Sequence, residues 1–376
     1  MKTNIHNFIF LCGLRDFHAM DWLRSFEKNY PHCRYVIICD SIEAEGEKSL
    51  IDNHDLVEKL IIIDRLLFKS KNKFSNLFRN IIKLVLTPIQ LLILYFKVKK
   101  YNNPVVFANG AYFVFLLSFL NIKFIANPIG SEILIRPFES RLYKYFLKRS
   151  LQKSSLITLD SYKMQSVLKE LFNLDSVVIQ NGIDLSKILI FKNIVSQDKK
   201  YNLRSQYTSI RAITPLYNID KIILARNSSI YKNLKIDFIY PFFDLKFKNK
   251  WFKILSIGDS DLGRLEDVMY YKQLSISRVV FSVPSSDASP KSVYESIFLG
   301  CVVVVKKLEF LEMLPKAMRD RIVVVDFDNF NWFEDAIMKA EIILKEDFIP
   351  DDESLEFVNR DISVFKLFKL INKVYE

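Results

Sequence analysis

Pro284-Ser-Ser-Asp-Ala-Ser-Pro-Lys-Ser-Val-Tyr-Glu-Ser-Ile-Phe-Leu-Gly300 decides how the rest of the chain is read. The preceding run Arg278-Val-Val-Phe-Ser-Val283 is β-rich, and Lys291 to Leu299 has helical spacing, with Ser289-Pro290 marking the break. The pattern predicts a strand, a tight loop and a helix whose first-turn N–H groups face the loop mouth. Such a terminus binds phosphate through aligned dipoles and unsatisfied donors. Asp287 precedes the loop and Glu295 lies eight positions later, inside the helix. Two carboxylates so placed suit a grip on a sugar and a ribose on either side of a diphosphate. The plainer reading of the same pair is a solvated helix face.

The stretch resembles the acidic-x7-acidic signature of the large retaining GT-B glycosyltransferase family, and Gly300-Cys-Val-Val-Val304 follows it as that family's next strand does. The usual pattern has Glu at both ends, so Asp287 is one methylene shorter. The resemblance implies that Asp287 faces the donor sugar, Glu295 the ribose, and the backbone from Ser289 and Pro290 through Lys291 and Ser292 the diphosphate. Further stretches are similar to the family along nearly the whole chain. Gly13 followed by His18-Ala-Met-Asp-Trp22 looks like the His-x3-Trp opening of sugar transferases that build bacterial surface glycans. There, Gly13 would admit a close ligand, and His18 would start the first helix, as a cap or a site residue. Pro128-Ile-Gly-Ser-Glu-Ile-Leu134 resembles a Gly-Ser-Asp-Ile segment at the cleft edge, with Glu132 in place of Asp and a turn-and-cap role as its alternative. Asn181-Gly-Ile-Asp184 matches the family's hinge. Arg211 lies in a turn like the one whose arginine reaches the donor diphosphate, a task that suits a permanently charged fork. The lysine usual five residues later is Leu216 here, which leaves Lys291 as the candidate substitute.

The 376 residues suit two domains, and with half of them apolar each can bury a core. Apolar runs alternate with helical ones: Asn7–Cys12, Arg34–Cys39, Leu60–Ile63, Val105–Ala108, Lys123–Ala126, Leu156–Leu159 and Val177–Ile179. A second series contains Tyr207–Ile213, Asp237–Tyr240, Lys253–Ile257, Val279–Val283, Cys301–Val305 and Ile322–Val325. Continuous apolar strands separated by helices predict parallel sheets covered on both faces. The expected class is α/β with two doubly wound, Rossmann-like domains. The resemblance places a cleft between them and a C-terminal helix that crosses back. The expected domains are 1–190 with 358–376, and 191–357.

Cys12, Cys33, Cys39 and Cys301 have no metal-type spacing, and the four histidines are scattered. With no leader pattern at the N-terminus, the expectation is a reduced, cytoplasmic protein. The net charge is +11, and between Asp64 and Glu132 there are ten basic residues and no acidic one. Such a surface implies an anionic partner. No zinc-finger spacing or RNP-type sequence favours nucleic acid. From Phe74 to Phe96 the apolar residues follow helical spacing, while Arg79, Lys83, Gln90 and Lys97 form a narrow stripe. The spacing predicts a helix with its apolar face on the sheet and its basic stripe toward water or anionic headgroups.

Taken with the resemblance, the expected function is transfer of a sugar, with retention, from a nucleotide-sugar donor to a glycan acceptor. The acceptor implied is lipid-linked, and the product O-antigen, capsule or a related surface polysaccharide. The enzyme would sit peripherally on the inner face of the cytoplasmic membrane. It would take no cofactor beyond the nucleotide-sugar and no metal. Two other classes stay open: an inverting GT-B transferase, with His18 as the base, or a nucleotide-sugar epimerase, and, more distantly, a basic nucleic-acid-binding protein.

Overall fold

The structure, a computed structural model, describes residues 7–13, 17–39, 57–59, 73–197 and 206–375. It divides into two compact units, residues 1–181 with 361–376 and residues 182–360. Leu185–Gln197 is a helix of the second unit, with Ile188 fully buried in that unit's core. The chain divides at Asn181-Gly182, within the hinge stretch Asn181–Asp184 and ahead of the domain limit expected at 190.

The first unit holds β1 (Asn7–Cys12), β2 (Arg34–Cys39), β3 (Val57–Lys59), β4 (Val105–Asn109), β5 (Phe124–Asn127), β6 (Leu156–Leu159) and β7 (Val177–Val178), in the order β3-β2-β1-β4-β5-β6-β7. Every pair is parallel. The β3 strand ends where the run Leu60–Ile63 begins, and that run lies outside the described residues. One face of the sheet packs on the helix Phe17–Asn29 and on the C-terminal helix Arg360–Tyr375. Phe368 stacks on Tyr30 at 3.7 Å, while Asp361 accepts hydrogen bonds from Lys28 at 2.7 Å and Asn29 at 2.9 Å. The last helix is thus part of the N-terminal unit's core.

The second unit holds β8 (Gln206–Ser209), β9 (Ile236–Ile239), β10 (Ser260–Gly263), β11 (Ser277–Ser282), β12 (Val302–Lys306) and β13 (Ile322–Val325), in the order β10-β9-β8-β11-β12-β13. Val279, Val280, Phe281 and Val302 to Val305 are buried on both faces, which is why these strands read as unbroken apolar runs. The strand expected at Lys253–Ile257 does not form there. Phe252–Ile254 is a 3₁₀ turn, and β10 starts only at Ser260. Asp259 causes the displacement: its carboxylate accepts the Ser256 and Ile236 N–H groups and pairs with the fully buried Arg226 at 2.7 Å. That anchor turns the chain at 256–259 and leaves Ile257 wholly in solvent.

Gly182 has φ +60°, and a Cβ there would meet the Val358 carbonyl at 2.7 Å. The Ile183 N–H donates to that carbonyl, and the Arg360 N–H donates to Ile183 O. The chain therefore enters and leaves the second unit side by side, so closely that position 182 admits only glycine.

Candidate functional site

In the second sheet the chain runs outward from β8 through β9 to β10, then resumes at β11 on the other side of β8. The loops after β8 and β11 consequently diverge, and such a switch point is where open parallel sheets hold ligands. The expected donor residues fall on these two loops and the helix that follows. Loop 210–218 supplies Arg211; loop 283–290 supplies Asp287, Ser289 and Pro290; the helix Lys291–Phe298 supplies Lys291, Ser292 and Glu295.

Arg211 leaves β8 beside the end of β11. Its Nε donates to Ser282 Oγ at 2.6 Å, and its Nη2 lies 2.8 Å from Asp287 Oδ2 in an ion pair that is mostly withdrawn from water. The guanidinium also lies 5.9 Å from the centre of the Tyr217 ring. Burial raises the Tyr217 phenol's pKa above its ordinary value, and the Asp287 charge adds to the rise against the opposing effect of Arg211. The ring therefore stays neutral against the ion pair.

Asn218 fixes the distance between the two loops. It has a left-handed backbone (φ 52°), and its Nδ2 donates to Val283 O at 2.8 Å and Ser285 Oγ at 3.0 Å. The Ser285 N–H donates to Leu216 O at 2.8 Å. Leu216, where the resembling family has lysine, thus braces the loop 283–290 through its carbonyl.

Glu295 is 4% exposed. Tyr271 Oη donates to its Oε1 at 3.2 Å, and Lys291 Nζ lies 3.8 Å from the same oxygen. Tyr270 shares the surroundings: burial, then the Glu295 charge, hold its phenol well above the ordinary tyrosine range, so it remains a proton donor. Pro290 starts the Lys291–Phe298 helix, and no side chain caps that end. The structure therefore gathers a permanently charged guanidinium, two carboxylates, an ammonium and an open helix N-terminus at one switch point. Tyr271→Phe should leave the fold intact and, by removing the hydroxyl that orients Glu295, weaken binding of a ligand held by that carboxylate by up to roughly 1.5–3 kcal/mol, the value of one hydrogen bond to a charged group. Titration calorimetry against the parent checks it.

The chain also contains two Asp-x-Asp spacings that could chelate a cation, Asp259-Ser-Asp261 and Asp326-Phe-Asp328. Asp259 is committed to Arg226, and Asp261 accepts from Tyr240 Oη at 2.6 Å and pairs with Lys248 at 2.6 Å. Asp326 accepts the Asp328 N–H.

The first unit has its own switch point, between β1 and β4. Gly13 directly follows β1; His18 lies in the first turn of the Phe17–Asn29 helix, its side chain outside the described residues. Glu132 is buried beside the start of the helix that follows β4. Its Oε2 accepts the Ala111 N–H at 2.7 Å and the Ile129 N–H at 3.0 Å, and Arg136 Nη1 lies 3.9 Å from its Oε1. The carboxylate caps the helix Ala111–Ser118 and closes its own turn at 129–132. The extra methylene of glutamate gives the reach to Ala111, so the turn-and-cap alternative describes what this side chain touches.

Sequence reasoning missed Tyr217, Asn218, Tyr270, Tyr271 and Ser282. Only Asn218 carried a signal, an asparagine at the end of Pro-Leu-Tyr-Asn, where a left-handed residue can start a helix. The others are defined by packing across the sheet.

No family model matches the chain, and no curated protein matches it. Solved structures do. Anabaena HepE, in complex with UDP, aligns with a TM-score of 0.68 at 12% identity over 98% of this chain and 100% of that one. The α,α-trehalose 6-phosphate synthase of Burkholderia multivorans aligns at 0.70 and 9% identity over 98% and 99%. The sucrose-phosphate synthase of Thermosynechococcus elongatus aligns at 0.70 and 10% over 98% and 99%. Likeness at such identities defines the fold, which is the GT-B α/β architecture across essentially the full chain.

Proposed function

We propose that this chain is a retaining glycosyltransferase that moves a sugar from a nucleotide-sugar donor to a lipid-linked glycan acceptor. The observation that carries the reading is the convergence of Arg211, Asp287, Lys291 and Glu295 at the switch point of the second unit. Glu295, oriented by Tyr271, accepts the ribose hydroxyls. Arg211, Lys291 and the N-terminus of the Lys291–Phe298 helix meet the diphosphate, along the backbone of Ser289, Pro290 and Ser292. Asp287 faces the donor sugar. HepE, a protein of the same fold solved with UDP, makes a nucleoside diphosphate the natural occupant.

In the reaction, the bond from the sugar's anomeric carbon to the diphosphate oxygen breaks, and an acceptor hydroxyl attacks on the same face. The departing diphosphate oxygen takes the acceptor's proton, so no protein nucleophile is required. The protein positions the reactants and stabilises negative charge on the leaving group. Fixed cations supply that stabilisation, and turnover is expected to persist in excess chelator. Loss of turnover that returns only with a divalent ion would transfer the task to a metal.

The proposed setting is the inner face of the cytoplasmic membrane, with the product an O-antigen, capsule or related surface polysaccharide. Among the described residues no helix is long and apolar enough to cross a membrane, so the proposed association is peripheral. The anomeric configuration of the product, read by NMR, tests the reaction class. Retention supports the proposal; inversion would demand a base in the first unit and return His18 to the centre of the mechanism.

A further inference from the structure

The helix Lys73–Lys99 lies in the first unit the other way round from the sequence expectation. Phe78, Ile81, Val85, Ile89, Leu92 and Phe96, read as the face packed on the sheet, are 50–68% exposed. Gln90, Leu94 and Val98 are buried instead. Gln90 belongs to the stripe expected to face solvent, and it accepts a hydrogen bond from Tyr112 at 3.0 Å inside the unit. On a helical wheel the six exposed residues lie opposite Leu94, so the helix presents a continuous apolar ridge along about five turns.

The ridge has neighbours in the same layer. Tyr112 belongs to the helix Ala111–Ser118, which packs on the helix Arg141–Leu151 through Phe115 and Phe146 and through Ser118 and Ser150. That third helix also exposes Leu142, Tyr145 and Phe146, interleaved with exposed Arg141, Lys148 and Arg149. Across the three helices there are nine basic residues and not one acidic residue.

We propose that this helix layer is the membrane-docking face of the protein. The helix Lys73–Lys99 would lie in the plane of an anionic bilayer with its apolar ridge among the acyl chains. The inference rests on the membrane setting proposed above and changes its physical basis from a basic stripe to an inserted ridge with basic flanks. Its uncharged stretch Leu84–Phe96 has 13 residues, too short to span and suited to lying flat. Lys99, its ammonium 5.9 Å from the centre of the Tyr95 ring, and Lys100 stand at the end of the ridge, where long cationic side chains reach back to headgroups. The charge pattern selects the occupant. A two-fold contact with a second copy would set nine positive charges against nine more. A nucleic acid would meet aliphatic side chains on which no base stacks. An anionic lipid surface answers both the apolar ridge and its basic surround.

Vesicle flotation tests the inference, using phosphatidylcholine vesicles with and without phosphatidylglycerol. The parent should float with the anionic vesicles, and high salt should weaken the binding without abolishing it. Combined Val85→Asp, Ile89→Asp and Leu92→Asp should reduce binding at least about tenfold, because affinity follows buried apolar area. All three positions are exposed, so thermal melting and transfer to a short soluble acceptor should match the parent. In a separate Leu92→Trp variant, brominated lipid should quench the indole and its emission should shift to the blue. If the aspartate variant floats like the parent while Lys144→Gln, Lys148→Gln and Arg149→Gln together release the protein, binding is electrostatic and ridge insertion is wrong. A parent that ignores anionic vesicles removes both the ridge and the membrane setting, while the sugar-transfer reading stands on its own assay. A parent dimer that the aspartate variant splits, with no vesicle affinity in either, makes the ridge a subunit interface.

Discussion

Arg211→Gln is expected to lower turnover by about 10²–10³-fold while the protein stays folded, the usual cost of removing one preorganised group that stabilises developing charge. Two contacts hold the guanidinium in place: Ser282 Oγ accepts from its Nε, and Asp287 lies 2.8 Å from its outer nitrogen. Glutamine can keep a hydrogen bond to Ser282 but supplies no charge to the leaving diphosphate. The Asp287 partner keeps some access to water, so the unpaired carboxylate should cost little folding energy. Arg211→Lys, which keeps the charge and loses the fork, should recover part of the lost rate. Single-turnover kinetics at saturating donor check the pair. A glutamine variant with the parent's rate would make the Arg211–Asp287 contact a loop brace and nothing more.

Glu295→Ala should weaken donor binding by roughly 1.5–3 kcal/mol, the value of hydrogen bonds to a charged group, or about 10- to 150-fold in Kd. The carboxylate is 4% exposed, with Tyr271 Oη and Lys291 Nζ both against its Oε1. Alanine also leaves the Tyr271 hydroxyl without its acceptor, so thermal melting must be compared first. Glu295→Gln, which keeps the volume and an acceptor, serves as the control and should lose less. A folded alanine variant with unchanged affinity would remove Glu295 from the ribose.

Much of this architecture was legible because parallel strands buried on both faces must be apolar throughout. Phe8 to Cys12 and Val302 to Val305 could hardly be anything else. The strand, loop and helix at 277–298 were legible for a local reason, since strand, Ser-Pro break and helix are contiguous in sequence. What failed depended on distant partners. Lys253–Ile257 has a strand's composition, but the buried Arg226–Asp259 pair, 33 residues apart, holds that region in a turn. The helix Lys73–Lys99 is apolar on nearly all sides, so periodicity revealed the helix without the side that packs. Gln90, Leu94 and Val98 face inward, on the side where Tyr112 of the neighbouring helix bonds Gln90. Tyr270 and Tyr271 come to Glu295 from another helix, a juxtaposition that no spacing along the chain encodes.

The central claim is that a nucleotide-sugar binds on the loops after β8 and β11. Calorimetric titration of the parent, Arg211→Gln and Glu295→Ala with UDP-, GDP-, ADP-, dTDP- and CMP-sugars tests it most directly. One nucleotide class should bind the parent and weaken in both variants. In a parallel melting scan at about a hundred times its Kd, that nucleotide should stabilise the parent by about 2.7 kcal/mol. If no nucleotide-sugar binds the parent, or if one binds all three proteins equally, the donor site is not at Arg211 and Glu295 and the account is contradicted.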